Sequence, residues 1–370
     1  MRVAVPLLRY FPFGGMQRDM LATARACRDA GHDVVVYCHT WEGARDPTLT
    51  LELLDAPGRS NHARARRFAD RLTERLRQTP ADVVIGFDKL PGLDLYFAAD
   101  PCFVTRTAQR PWPYRLTPRY RTFRALEGEV FGANARTRVL LLDPRERASY
   151  QQVWQTPDER FVELPPGIAR DRRRGSDAHI LRAAVRRELR VEPDDVVLLM
   201  LGANLELKGV DRAMRALAAQ PAARRRHVHL FAFGQQPTAR MLQLARSLGV
   251  AERVHIDDGR DDVPALLQAA DVLVHPARRD TTATVVLEAL VAGRPVICTA
   301  ACGHAETIRR AGCGVVLPEP FEQAALDRAL HEMLTCNRSA FEDAGLRYAD
   351  AVDLHGMHAR IVQEVTALRR

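Results

Sequence analysis

The sequence predicts an α/β protein of two Rossmann-like domains facing a central cleft. Three observations carry that expectation. The 370 residues suffice for about two domain cores. Short apolar runs suited to buried parallel strands alternate with longer segments of helical period. The rhythm occurs twice, and the two series are separated by the rigid Pro165-Pro166-Gly167 and the charge cluster Arg170 to Arg174.

In the first series, strands are expected near Val3 to Leu8, Asp33 to Cys38, Leu49 to Leu54, Val83 to Phe87 and Arg138 to Leu142, with helices over Gln17 to Ala30 and His62 to Gln78. The second series places strands at Val196 to Leu201, His227 to Phe233, Arg253 to Ile256, Val272 to His275 and Pro295 to Thr299. Its helices fall near Val210 to Ala219, Ala239 to Leu248, Val263 to Ala269, Thr284 to Ala292 and Phe321 to Thr335. The domains are accordingly set at 1–165 and 166–350. In open parallel sheets ligands sit at the carboxyl ends of the strands, so those ends are where chemistry is sought.

Composition narrows the class. Hydrophobic residues are 46% and charged residues 27%, which excludes long disorder. No apolar stretch approaches the roughly 20 residues of a spanning helix, and the opening MRVAVPLLRYFPFGG lacks the pattern of a secretory signal, so a cytosolic protein is expected. The seven cysteines are odd in number and contain no Cys-x-x-Cys pair, which disfavours a disulfide framework or a structural zinc site. A net charge of +8 suits an acidic partner: nucleic acid, an anionic membrane or a phosphorylated substrate. Of 54 basic side chains, only Lys89 and Lys208 are lysines, and both fall at expected strand ends.

Three loops have the chemistry of a site. Phe11-Pro12-Phe13-Gly14-Gly15 leads from the first strand into a helix, where glycines let backbone N–H groups approach an anion; alone, a Gly-Gly turn is a weak signal. It is neither the Gly-x-Gly-x-x-Gly fingerprint nor a P-loop, so a dinucleotide oxidoreductase or an NTPase loses support. Lys208, in the turn before Val210, can put its charge on a phosphate; the plain alternative is a solvated turn lysine. The segment His275 to Glu288 carries Asp280 in a loop, threonines suited to cap the following helix, and Glu288 a turn or two inside it. Read singly, Asp280 is a surface carboxylate and Glu288 a helix-face residue. Together the three loops describe a ligand with a central diphosphate and hydroxyls at both ends, such as a nucleotide sugar.

Between Cys102 and Leu126 there is no acidic residue, while Arg106, Arg110, Arg115, Arg119, Arg121 and Arg124 alternate with Trp112, Tyr114, Tyr120 and Phe123. Thr117-Pro118 reads as a cap and first turn. Arginines around aromatic rings suit an anionic bilayer. The same composition could bind RNA, or Tyr120 and Phe123 could face the core.

At this point the chain resembles a known family over nearly its whole length: the retaining glycosyltransferases of the GT-B fold, within them the lipopolysaccharide core α-1,3-glucosyltransferase I group. The likeness rests on Arg9 to Gly15 with Gln17-Arg18-Asp19, Trp41-Glu42-Gly43, Gly86 to Asp94, Leu164 to Ile168, Lys208 to Arg212, His275-Pro276-Ala277 and Cys302-Gly303. The resemblance implies transfer of glucose from UDP-glucose to a heptose of the lipopolysaccharide inner core. It implies that Lys208 and Arg172 neutralise the diphosphate, Glu288 accepts from the ribose, Arg260 lies near the base, and Gly14 and Gly15 approach the donor from the facing, acceptor-side domain. Asp280, Thr284 and Val285 complete the donor site, and Asp19, Lys208 and Asp280 are the expected catalytic residues. Residues 351–370 are expected to form a helix crossing back to the first domain. Residues 104–127 are expected to form the membrane-facing segment, with Arg115, Arg119, Tyr120, Arg121, Phe123 and Arg124 against the anionic inner-membrane surface, which would make the protein a peripheral one on the cytoplasmic face.

Three departures bear on the donor. The superfamily's Glu-x7-Glu reads Asp280-x7-Glu288, the glycine three residues on is Ala283, which would narrow the space for donor or backbone, and the basic residue before the lysine is Leu207. Losing a methylene retracts the first carboxylate by about 1.5 Å, which weakens or redirects sugar recognition. No Asp-x-Asp pair is present, so no cofactor or obligatory metal is expected, and the leaving diphosphate itself would take the acceptor's proton. Two rival readings remain: a different nucleotide-sugar donor or acceptor, and a nucleotide-sugar-binding protein with little turnover. A nucleic-acid partner explains the charge but not the loops, and none is expected.

Overall fold

The computed structural model describes residues 1–12 and 14–368 and divides into two units, Met1–Gly167 with Gly356–Arg370, and Ile168–His355. In the first unit, seven strands, β1 (Arg2–Tyr10), β2 (Asp33–Trp41), β3 (Thr50–Leu53), β4 (Val83–Gly86), β5 (Leu95–Ala98), β6 (Arg138–Leu141) and β7 (Phe161–Glu163), form one sheet in the order β3-β2-β1-β4-β5-β6-β7. Every pairing is parallel. The central strands are apolar and buried on both faces, as parallel strands covered by helices must be, while the edge strand β3 is partly exposed.

Helices α1 (Gly15–Asp29), α2 (Asn61–Gln78), α3 (Phe103–Thr107), α4 (Pro118–Phe131) and α5 (Glu146–Trp154) belong to the same unit. On α1, Met20, Ala24 and Cys27 share one face and are buried. Ser60 caps α2 by accepting from Ala63 N. Thr117 caps α4 by accepting from Tyr120 N, and Pro118 opens its first turn, as the sequence predicts.

The second unit repeats the scheme with β8 (Val196–Leu201), β9 (Val228–Phe233), β10 (Val254–Asp257), β11 (Val272–His275), β12 (Val296–Thr299) and β13 (Gly314–Leu317), in the order β10-β9-β8-β11-β12-β13. All of its pairings are parallel as well. Its helices are α6 (Ala178–Glu188), α7 (Val210–Ala218), α8 (Ala222–Arg225), α9 (Ala239–Ser247), α10 (Val263–Ala269), α11 (Thr284–Val291), α12 (Ala305–Ala311), α13 (Gln323–Thr335) and α14 (Ser339–Ala351). In both sheets the strand order reverses between the first and fourth strands, β1/β4 and β8/β11. This is the switch point where open α/β sheets leave room for a ligand.

The sequence reading lacks β5, β7 and β13. The units change over at 167/168 and 355/356, rather than at the expected 165/166 and 350/351. Ile168 N donates to Leu354 O, which ties both ends of the second unit together, while Met357 N donates to Pro166 O within the first. The closing helix, α15 (Met357–Ala367), buries Met357, Ile361 and Val365 in the core that holds Met20 of α1, and Glu364 accepts from Arg138 at 2.9 Å.

Candidate active site

Lys208 follows β8 and Asp280 follows β11, so the two flank the switch point of the second sheet. The loops that carry them are laced together. Gly209 takes φ +83°, and a Cβ there would stand 2.2 Å from Pro276 O. Arg278 N donates to Leu207 O at 2.9 Å. The Arg278 guanidinium reaches Glu206 O at 2.8 Å and both carboxylate oxygens of Asp211 at 2.8 Å.

This lacing brings Lys208 Nζ to 2.7 Å from Asp280 Oδ2. The same oxygen lies 2.7 Å from His275 Nε2, and Oδ1 accepts from Ala283 N at 3.1 Å. Burial opposes the charge on Asp280, but the His275 hydrogen bond and electrostatics, with the Lys208 ammonium, outweigh it and hold the carboxyl well below the usual carboxylate range.

Asp280 is thus no surface carboxylate, and the threonines are not the caps that the sequence reading expects. The residue before α11 is Ala283, in the left-handed region at φ +40°, and no side chain of its own caps the helix. Asp280 Oδ1 accepts instead from the N–H of Ala283, the residue just before the helix. Thr284 and Val285 open α11, and Glu288 lies one turn further along, buried. Glycine would meet this backbone angle without strain; alanine meets it at a cost of about 1–2 kcal/mol.

Arg172, in a short 3-10 turn, lies buried with Nε 3.3 Å from Glu288 Oε1 and Nη1 3.1 Å from Asp171. Four of the expected donor residues of the second unit therefore form two ion pairs, Lys208–Asp280 and Arg172–Glu288. Arg260 stands apart from both: Glu188 and Asp262 hold its guanidinium at 2.6 Å each, over the Phe233 ring. A groove of about 610 Å³ is walled by Val210 and Met214 of α7 and Met241 and Leu244 of α9. None of the paired residues lines it, so charge rather than cavity volume marks the site.

In the first unit, Gly14 caps α1 and Gly15 begins it. A Cβ at Gly14 would meet Gln17 Oε1 at 2.0 Å, so a larger residue there would have to displace the Gln17 side chain, whereas one at Gly15 would meet nothing within 4 Å. Asp19 is buried one turn on. Phe13, part of the same motif, lies outside the described residues.

Sequence reasoning missed His275. Its place at the end of a strand, inside the His-Pro-Ala piece, was the available signal. Full burial, which no pattern of residue types reveals, is what makes it part of the site.

Residues 182–345 match the family of group 1 glycosyl transferases, and residues 13–172 match glycosyltransferase family 4. The lipopolysaccharide glucosyltransferase WaaG of Escherichia coli K12 is 40% identical over 371 aligned residues, 99% of each chain. The chain belongs to the WaaG family of glycosyltransferases. A crystal structure of WaaG, described as a glycosyltransferase involved in lipopolysaccharide biosynthesis, is similar with a TM-score of 0.94 at 39% identity, covering 98% of this chain and 99% of that one. The sucrose-phosphate synthase of Thermosynechococcus elongatus shares the fold, with a TM-score of 0.81 at 18% identity over 99% and 98% of the two chains. As a WaaG-family protein the chain is a glycosyltransferase of the GT-B fold.

The arginine-rich segment of this WaaG-family protein runs from α3 through a 3-10 turn, Trp112–Leu116, into α4. Trp112 is 69% and Leu116 52% exposed, and Arg115, Arg119, Arg121 and Arg124 are exposed too. Tyr120 corrects the sequence reading: it is buried, its ring packed against Phe103 and Tyr114, because the Thr117 cap turns position 120 inward. Phe123 is half-buried against Phe103, with Arg119 over its outer face. The segment is anchored by buried Glu127, which accepts from Phe103 N and from Lys89 Nζ at 2.6 Å each. That pairing is the use the fold makes of the other lysine. Among the described residues no helix is long and apolar enough to cross a membrane.

Proposed function

We propose that this glycosyltransferase moves glucose from UDP-glucose onto a heptose of the lipopolysaccharide inner core, with retention of the α configuration. Likeness to a lipopolysaccharide glucosyltransferase along the whole chain carries the reading. The paired charges at the second sheet's switch point support it, since a site for a sugar diphosphate needs cations there and acceptors for hydroxyls nearby. In this reading Lys208 and Arg172 neutralise the charge that grows on the departing diphosphate, assisted by the first-turn N–H groups of Thr284 and Val285. Glu288 turns to the ribose and Arg260 to the base. Gly14 and Gly15 bring backbone to the donor, and Asp19 serves the acceptor or the reacting sugar. The diphosphate takes the acceptor's proton, and no obligatory metal takes part.

The exposed Trp112, Leu116 and arginines of 104–127 support a further part of the reading, that the enzyme works against the anionic cytoplasmic face of the inner membrane, where a lipid-anchored acceptor would lie. Apolar side chains enter the interface while each nearby basic group contributes about 1 kcal/mol.

A different donor hexose is the second reading, favoured by Ala283 where the family carries glycine, since its methyl would narrow the space at the start of α11. Incubating the purified protein with a panel of nucleotide sugars and truncated core acceptors decides between them. UDP-glucose turnover on a heptose-terminated acceptor is the expected result; transfer of another sugar, or none, overturns the first reading.

A further inference from the structure

Three donors converge on one carboxylate. Lys208 Nζ and His275 Nε2 each lie 2.7 Å from Asp280 Oδ2, and Ala283 N lies 3.1 Å from Oδ1. Its backbone is equally fixed: Asp280 N donates to Ala301 O at 3.3 Å and Gly303 N to Asp280 O at 2.8 Å. The Asp280 side chain is 10% exposed and that of His275 0%.

A carboxylate has about four lone-pair sites, and three of these are occupied from within the chain, which leaves little capacity for sugar hydroxyls. Lys208 has the complementary surplus: an ammonium has three N–H groups, and Asp280 takes one. His275 Nδ1 is buried with no partner, so the ring makes its one side-chain contact through Nε2. We propose that Asp280 is a positioning residue for Lys208, locked by the Nε2–H of His275, and not a residue that contacts the transferred sugar.

The physical gain is preorganisation. A free lysine stem loses much rotamer freedom when its ammonium is fixed on a phosphate. Tethered beforehand at Oδ2, Lys208 meets the diphosphate with two N–H groups already aimed. Aspartate is the length that fits: with its peptide bridged to Ala301 and Gly303, an added methylene of about 1.5 Å would overshoot both Lys208 and His275.

The inference rests on the reading that Lys208 grips a nucleotide-sugar diphosphate, and the test separates the two. Calorimetric Kd values for UDP and UDP-glucose, with kcat and KM, are measured for the full-length wild type, His275→Phe, His275→Gln, Asp280→Asn and the double variant His275→Phe/Asp280→Asn. Asp280→Asn is expected to weaken UDP and UDP-glucose equally, by about 10-fold, the loss of one charge-assisted hydrogen bond. His275→Phe should cost a similar factor alone and nothing further on the Asp280→Asn background, while His275→Gln, which keeps an N–H donor, should recover most of it. Weakening of UDP-glucose with UDP unchanged would mean direct sugar contact and overturn the proposal, as would additive losses in the double variant. Should His275→Phe fail to fold, the comparison of UDP with UDP-glucose for Asp280→Asn decides alone. A wild type that binds neither ligand sinks the reading of Lys208 itself.

Discussion

Gly209 and Pro276 meet backbone to backbone, with Pro276 O 2.2 Å from where a Cβ on Gly209 would stand. That approach seats the Lys208 loop against the turn after β11, and φ +83° adds the second demand for glycine. Gly209→Ala combines left-handed strain of about 1–2 kcal/mol with a backbone clash. It is expected to lower unfolding free energy by at least about 2 kcal/mol and to weaken UDP binding. Denaturant titration and calorimetry check both; unchanged stability would show that the loops do not need this contact.

Lys208 holds the ammonium nearest Asp280. Lys208→Ala should reduce UDP-glucose turnover by at least about 10²-fold, the usual consequence of losing one electrostatic contact to developing charge. Steady-state kinetics with saturating acceptor tests this, and near-normal turnover would refute the role.

Charge on the outer face of α4 and packing on its inner face are separable. Reversing Arg119, Arg121 and Arg124 to glutamate should abolish sedimentation with anionic liposomes and leave thermal unfolding little changed, since all three are exposed. Tyr120→Ala should instead lower stability by about 3 kcal/mol, because that ring is buried against Phe103 and Tyr114. Unaltered sedimentation of the triple variant would remove the membrane reading.

His255 sits at β10 with its Nε2 3.0 Å from His229 Nδ1, and His229 Nε2 lies 3.0 Å from Asp195. Burial, then the neighbouring His229 and Arg253, lower the His255 pKa from 6.5 to about 4. The folded protein therefore keeps this ring neutral where the unfolded chain binds a proton. Stability is full above about pH 6.5 and falls as the pH drops from there toward 4. Between pH 7.5 and 5 this residue should cost about 2 kcal/mol. Urea unfolding at both pH values, compared with His255→Gln, isolates the effect; identical pH dependence in the two proteins would contradict it.

Two parallel α/β halves, the Lys208 loop and the Thr117 cap were legible in the sequence, since strand burial, helical period and capping are properties of neighbouring residues, whereas the closing helix was implied only by the family resemblance. The pairing of Lys208 with Asp280 and of Arg172 with Glu288 was not, nor the inward turn of Tyr120, the coupling of Lys89 to Glu127, or the engagement of His275. Each joins residues distant in the chain or depends on burial. Adjacent strands such as β8 and β11 meet only when the sheet assembles, and only then does a carboxylate five residues past a buried histidine find the one ammonium within reach.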